Sequence, residues 1–296
     1  MKKIALTLLA GFMICLCARS AEPDTVRHWK LKAETNIGFS QLALSNWSAG
    51  GENSLATNAL INLFADYNKN KFTWNNFAAF GYGVQKQESF SNWRKTDDKI
   101  ELTTKAGIYA ARQWNYTALL SFKTQFDKGY KYISNDERVL LSQFMAPGYI
   151  QLAIGMDYKP ADYFTLLLSP IGSRVTLVDE DSLSKAGAFG VEPGKRSLIQ
   201  MGGSVTAQFK KDILKNVNLL SKLGLFSNYL KNPENIIVNW ENTIFLKVNK
   251  HISTTIGTTL IYDDNINSFD KEGNKHGPKT QFKESFSVGF SFSFIK

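Results

Sequence analysis

A two-residue rhythm runs through this chain and recurs too often to ignore. Trp114, Tyr116, Ala118, Leu120, Phe122, Thr124 and Phe126 share one parity, as do Ile150, Leu152, Ile154, Met156 and Tyr158, and so do Phe282, Glu284, Phe286, Val288, Phe290, Phe292 and Phe294. Mostly polar or small residues lie between them. Side chains alternate across a β-strand, so each segment has one apolar and one polar face. The same pattern predicts strands at 31–41, 57–67, 72–85, 99–110, 114–126, 149–158, 163–170, 198–209, 217–229, 236–248, 251–262 and 281–295. The seventh is the weakest, because Leu167 and Pro170 blur its period.

Past residue 20 no apolar run approaches the roughly eighteen residues of a membrane helix. Twelve two-faced strands point instead to a closed barrel with its apolar face outward, the other structure that leaves no backbone group unpaired in lipid. Charge placement agrees. With 21% of residues charged, about fifteen charges would fall on the apolar parity by chance, yet only Glu284 does. The interleaved positions carry Lys32, Glu34, Asp66, Glu101, Lys105, Lys123, Asp157, Lys222, Glu241, Lys247 and Lys283, which become the candidate lumen-lining residues. A Lys or Arg facing mid-bilayer costs about 2–4 kcal/mol, so an outer face must be swept clean of them.

Connections alternate in length. Those after even strands run from 3 to 7 residues, whereas Phe126 and Leu168 are followed by 23 and 30; the 6 residues between Tyr229 and Ile236 are the exception. Short turns on the terminal side place both chain ends in the periplasm and the long loops outside the cell. Aromatic residues fall at two heights, as an interfacial girdle requires: Tyr67, Trp74, Trp114, Tyr116, Tyr158 and Phe164 at the short-turn end, and Tyr82, Phe126, Tyr229 and Tyr262 at the other.

The first twenty residues stand apart from this fold. Lys2 and Lys3 precede an apolar run from Ile4 to Cys17, and Ala18 and Ser20 are the small residues of a cleavage site, so 1–20 is expected to be a signal peptide. The bulky Phe12, Met13 and Ile14 argue against a lipoprotein signal. Cleavage removes both cysteines, and the loss of Lys2, Lys3 and Arg19 with no acid takes the formal charge from +9 to +6. Residues 21–30 then form a periplasmic tail and 31–296 the barrel.

Several motifs resemble one family. Asn46-Trp47-Ser48-Ala49-Gly50-Gly51 in the first loop, Lys95-Thr96-Asp97-Asp98-Lys99, Thr124-Gln125-Phe126 with Gly129-Tyr130, and Ser169-Pro170 with Arg174 are similar to the hallmarks of an uncharacterised outer-membrane β-barrel family common in Bacteroidetes, domain of unknown function 3078. Of these, Asn46, Trp47, Gly50 and Gly51 are the most specific. The resemblance spans nearly the whole mature chain and implies an outer-membrane location without an activity.

Function is then sought in the lumen and loops. Twelve strands enclose more than a filled eight-stranded barrel and less than a sixteen-stranded porin, which suits a narrow, non-enzymatic pore for small solutes. The nearly balanced lumen charges equally suit a closed interior and a surface-interaction or structural role. Leu60, Phe64, Phe77, Leu119, Leu220, Phe226, Phe245 and Ile261 also point inward, either to pack against an inserted loop or to line a path for an apolar ligand such as a fatty acid. The 30-residue connection with Gly187, Gly190, Pro193 and Gly194 is the expected plug. Catalysis finds little support: His28 and His251 sit at the short-turn end, and His276 with Asp263, Asp264, Asp270 and Glu272 reads as a solvated loop tip. No cofactor or metal is implied. The expected partners are outer-membrane lipids, lipopolysaccharide and the outer-membrane assembly machinery, the last because the chain closes on an alternating aromatic tail. Nucleic acid is excluded by compartment, and the oligomeric state is left open.

Overall fold

The computed structural model describes residues 28–44, 52–90, 92–134, 137–249, 251–269 and 275–295. The signal peptide, most of the N-terminal tail and Asn46, Trp47, Gly50 and Gly51 lie outside the described residues.

Sixteen strands follow one another: β1 (Trp29–Leu42), β2 (Ser54–Lys69), β3 (Phe72–Gln87), β4 (Arg94–Ala111), β5 (Trp114–Thr124), β6 (Gly129–Tyr132), β7 (Arg138–Ser142), β8 (Gly148–Ala161), β9 (Phe164–Leu177), β10 (Ser197–Leu214), β11 (Val217–Asn228), β12 (Ile236–Lys247), β13 (Ile252–Tyr262), β14 (Asn267–Phe269), β15 (Lys275–Pro278) and β16 (Gln281–Ile295). Twelve form a closed antiparallel barrel in the order β1-β16-β13-β12-β11-β10-β9-β8-β5-β4-β3-β2. Closure comes from β1 on β16, with Ile37 opposite Phe290 and Glu34 opposite Ser293, so no barrel strand has a free edge. The remaining strands make two small hairpins, β6–β7 and β14–β15, inside long connections.

Each expected strand has its counterpart, and alternation works as its chemistry demands. On β5 Leu120 is 45% exposed on the outer face, whereas its neighbour Leu119 is 7% exposed. Four connections at one end are two-residue turns, and Asn70, Arg112 and Asn216 take the left-handed conformation that such tight turns require. Both described chain ends lie here, Trp29 paired with Tyr67 and Ile295 with Lys32.

Several strands run longer than expected, among them β4 from Arg94 and β10 to Leu214, and two of the differences have a clear physical reason. Residues 29 and 30 belong to β1 rather than to a tail, because Trp29 pairs with Tyr67 and packs its ring 5.1 Å from Tyr67 and 5.7 Å from Trp74. Strand β9 continues past Pro170 to Leu177. The ladder slips on both sides of that proline, between Ile154 and Met156 on β8 and between Gly202 and Ser204 on β10, so its missing N–H falls in a double bulge. Glycine is needed beside it: a Cβ on Gly155 would strike the Leu168 carbonyl, and one on Gly202 the Ser227 carbonyl.

The connection 178–196 does not enter the barrel as a plug. It folds into α1 (Asp181–Lys185) and a 3-10 turn at Ala188–Gly190, burying Val178, Leu183 and Val191 against Ala146 at the long-loop end. Glu180 caps α1. Its carboxylate accepts from the Ser182 hydroxyl and the Leu183 N–H, and these bonds hold its pKa below the usual range.

Candidate functional site

Barrel closure brings charged residues from distant parts of the chain face to face. Glu101 on β4 pairs in register with Lys123 on β5, and Lys222 on β11 with Glu241 on β12. In the ring order β4 and β12 are separated by half of the twelve strands, so they stand on opposite walls. Yet Lys99 Nζ lies 2.7 Å from Glu241 Oε2, and Lys123 Nζ lies 2.9 Å from Glu241 Oε1. Glu101 completes the lattice, 2.7 Å from Lys99, 3.6 Å from Lys123 and 3.8 Å from Lys222.

These contacts determine the shape of the lumen. Twelve strands about 4.8 Å apart and tilted by about 40° would enclose a round barrel roughly 24 Å across. Extended Lys and Glu side chains joined by an ion pair span only roughly 14 Å between Cα atoms. The cross-section is therefore flattened, with wall β1–β4 pressed toward wall β9–β12. Two further contacts confirm this, each between strands half a ring apart. Lys222 on β11 sits 3.7 Å from the centroid of Phe77 on β3, and Lys210 on β10 sits 4.2 Å from that of Phe64 on β2.

Below the lattice, toward the short turns, the interior is filled. Lys105 donates to Asp157 at 3.0 Å and to Thr165 at 3.2 Å, Lys159 reaches Asn75 at 3.3 Å, and Asn75 donates to Asp66 at 2.8 Å. Glu34 holds Lys32 and Lys210. Apolar residues help: Phe64 and Phe77 stack 5.1 Å apart, and Leu119, Ala153 and Leu167 form a buried cluster. Among the described residues these inward apolar side chains pack against one another and against lysines of the opposite wall. A cavity of about 650 Å³ runs from a mouth at Asp97, Asp263 and Lys283 past the lattice to Lys105 and Thr165. Arg174 donates to Asp263 at 2.7 Å, and Lys283 pairs with Asp97.

The structure thus places Lys32, Glu34, Asp66, Glu101, Lys105, Lys123, Asp157, Lys222 and Glu241 in interior ion pairs or hydrogen bonds, and Lys283 at the mouth. Lys247 is exposed at the short-turn end. Sequence reasoning passed over Lys99, Asp97, Lys210 and the Arg174–Asp263 pair. Lys99 shares the parity of Glu101 and was within reach of the pattern; Asp263 lies just past a strand end, where alternation carries no information.

Of the motif residues within the described regions, Lys95, Asp98, Thr124, Gln125 and Phe126 gather at the long-loop rim, whereas Ser169 and Pro170 lie mid-strand in β9. The Asp98 carboxylate accepts from Phe126 N at 2.7 Å, Asp127 N at 2.9 Å and Lys95 Nζ at 2.8 Å. Gln125 donates to Gln143 O, Thr124 to Pro147 O, and Arg94 lies between the rings of Phe90 and Tyr132. Together they tie the β3–β4 connection to hairpin β6–β7. Replacing Asp98 by alanine is expected to cost about 3 kcal/mol locally, since it strands two backbone N–H groups and a lysine. Hydrogen exchange would show it as lost protection at Phe126 and Asp127, with the amides of β12 and β13 unchanged.

The other polar candidates are engaged elsewhere. Asp263 is held by Arg174, and Asp264 accepts from Asn235 at 3.0 Å. His28 and His251 pack on Tyr67 and Phe292 at the short-turn end, and Asp270 and Glu272 lie outside the described residues. Among the described residues no group of three or more His, Cys, Asp or Glu side chains is arranged to hold a metal ion.

With this geometry in place, the chain can be set beside known proteins. No curated protein matches it. Among solved structures it is similar to the translocator domain of the autotransporter NalP from Neisseria meningitidis, with a TM-score of 0.38 and 11% identity over 99% of this chain and 98% of that one. It is also similar to an outer membrane channel from Pseudomonas putida F1, with a TM-score of 0.39 and 10% identity over 94% of this chain and 100% of that one. Residues 39–130 match the family model described as protein of unknown function (DUF3078), a shorter stretch than the motifs implied, with Ser169, Pro170 and Arg174 outside it.

Proposed function

We propose that this chain spans the outer membrane as a narrow barrel whose conduit is shut at rest by the Lys99–Glu241 bridge, and that it admits small solutes only when the bridge opens. That bridge is the observation that carries the reading: a contact between strands half a ring apart narrows the lumen at its level. Membrane insertion is supported by dimensions. The eleven residues of β5, tilted by about 40°, rise roughly 28 Å, enough for an apolar band of about 25 Å. Lipid and lipopolysaccharide would contact the outer face, with the chain ends in the periplasm and the rim of tied loops outside the cell. The reading is non-catalytic.

A second reading, a permanently closed barrel that presents its loops, is favoured by the order of the rim, where Asp98 and Arg94 fasten neighbouring connections. Planar-bilayer recording tests the proposal directly. The folded wild-type barrel is expected to insert and remain silent at moderate voltage. A large, steady open level would overturn it.

A further inference from the structure

We propose that the cavity around the bridge is a binding site for a small amphiphile with a single negative charge, a carboxylate on a hydrocarbon body. About 650 Å³ is within the range of small-molecule sites. The cavity opens at the long-loop mouth, beside the exposed Asp97 and Lys283, and its lining ends near Lys105 and Thr165, so a ligand enters from the long-loop side.

The charge of the ligand follows from which ions around the cavity are already matched. Lys283 is matched by Asp97, Arg174 by Asp263, Lys105 by Asp157 and Asp98 by Lys95. Three lysines then remain, Lys99, Lys123 and Lys222, against two carboxylates, Glu101 and Glu241. One positive charge is left over, which one anionic group would neutralise.

Lys222 is where that group would bind. Lys99 and Lys123 each donate to Glu241 within 2.9 Å, whereas Lys222 stands 3.8 Å from Glu101 and donates no hydrogen bond to any described residue. An ammonium has three protons to share, and the Phe77 ring 3.7 Å away and Glu101 at 3.8 Å leave room for a stronger acceptor. A ligand carboxylate supplies the missing acceptor. The body of the ligand follows from the walls, where Phe77, Leu119, Leu167, Phe226 and Ile237 surround the charges with hydrocarbon. A dianion would reverse the imbalance.

This site stands whether or not the bridge gates conduction, because a neutral residue at position 222 leaves Lys99 and Lys123 on Glu241. The test uses the purified barrel in an uncharged detergent, titrated calorimetrically with decanoate, decanol and decylammonium. Decanoate is expected to saturate a single site at least about tenfold more tightly than decanol, the worth of one charge-assisted hydrogen bond, and decylammonium to give no binding heat. Lys222→Gln should erase the preference for decanoate while leaving decanol unchanged, and Lys222→Arg should keep it. Equal binding of decanoate and decanol by the wild type, or an unaltered preference in Lys222→Gln, would overturn the assignment. Thermal unfolding of each variant shows whether a loss reflects the site or the fold, and retention of the preference by Lys222→Arg keeps the test decisive should Lys222→Gln be unstable.

Discussion

Glu241→Gln is expected to convert a silent barrel into a conducting one. The wild-type carboxylate accepts from Lys99 at 2.7 Å and from Lys123 at 2.9 Å, and among the described residues it is the one group of its wall bonded to both. Without its charge, three lysines share Glu101 alone. Breaking a fully buried ion pair on one side costs about 3–5 kcal/mol, and this part-exposed pair should cost less, because water reaches the partner left behind. The ammonium groups then have every reason to move apart and toward water, which withdraws the side chains that join β4 to β12. Single-channel recording should show openings that favour anions, given the surplus of positive charge, together with a lowered unfolding temperature. Removing both ends of the bridge with methionine at 99 and 241 should restore stability, since apolar replacements of a buried pair are often neutral or better. A Glu241→Gln barrel that folds, inserts and stays silent would assign the protein to the permanently closed class.

The second large effect is expected on the outer face. Leu120 stands mid-strand, opposite Thr104 on one side and Leu152 on the other, and its side chain points away from the lumen. Arginine there should cost about 2–4 kcal/mol of folding stability in lipid vesicles, while arginine at Phe282, near the rim, should cost only about 0–1. Urea titration of vesicle-inserted protein measures both. Equal costs would show that depth does not matter, and with it that the exposed apolar band does not face hydrocarbon. Lipid and lumen are separated by one residue here, so the adjacent position 119 reports on packing instead.

These two tests also mark how far alternation can be read. Leu120 and Leu119 are told apart by parity alone, because a strand has two faces and membrane and lumen impose opposite demands on them. Glu241 was legible as inward for the same reason. That Lys99 lies across from it was not, since the pairing depends on how the closed sheet is flattened, a property of the whole ring. Pro170 misled for a related reason: a proline ends an isolated strand, but the slips beside Gly155 and Gly202 gave it a place inside the sheet. The expected plug failed because Val178, Leu183 and Val191 found a closer partner in Ala146 at the rim than in the interior. Arg94 and Asp98 lie on the part of β4 that precedes its expected start at 99, where their partners come from neighbouring connections and neither period nor spacing gives a signal.

The bridge has one more consequence, for the order in which the chain is built. Its two ends are 142 residues apart, and Asn36 reaches Ser253 across 217. A growing ribbon that has reached β8 already carries Lys99, Glu101 and Lys123, but the residues that will close over them have not yet arrived. Such a half-made sheet keeps its concave side wet, and loop-closure entropy makes these remote contacts slow to form. The cross-wall contacts of Lys99 and Lys123 therefore form only after β12 is in place, late in the closing of the ring.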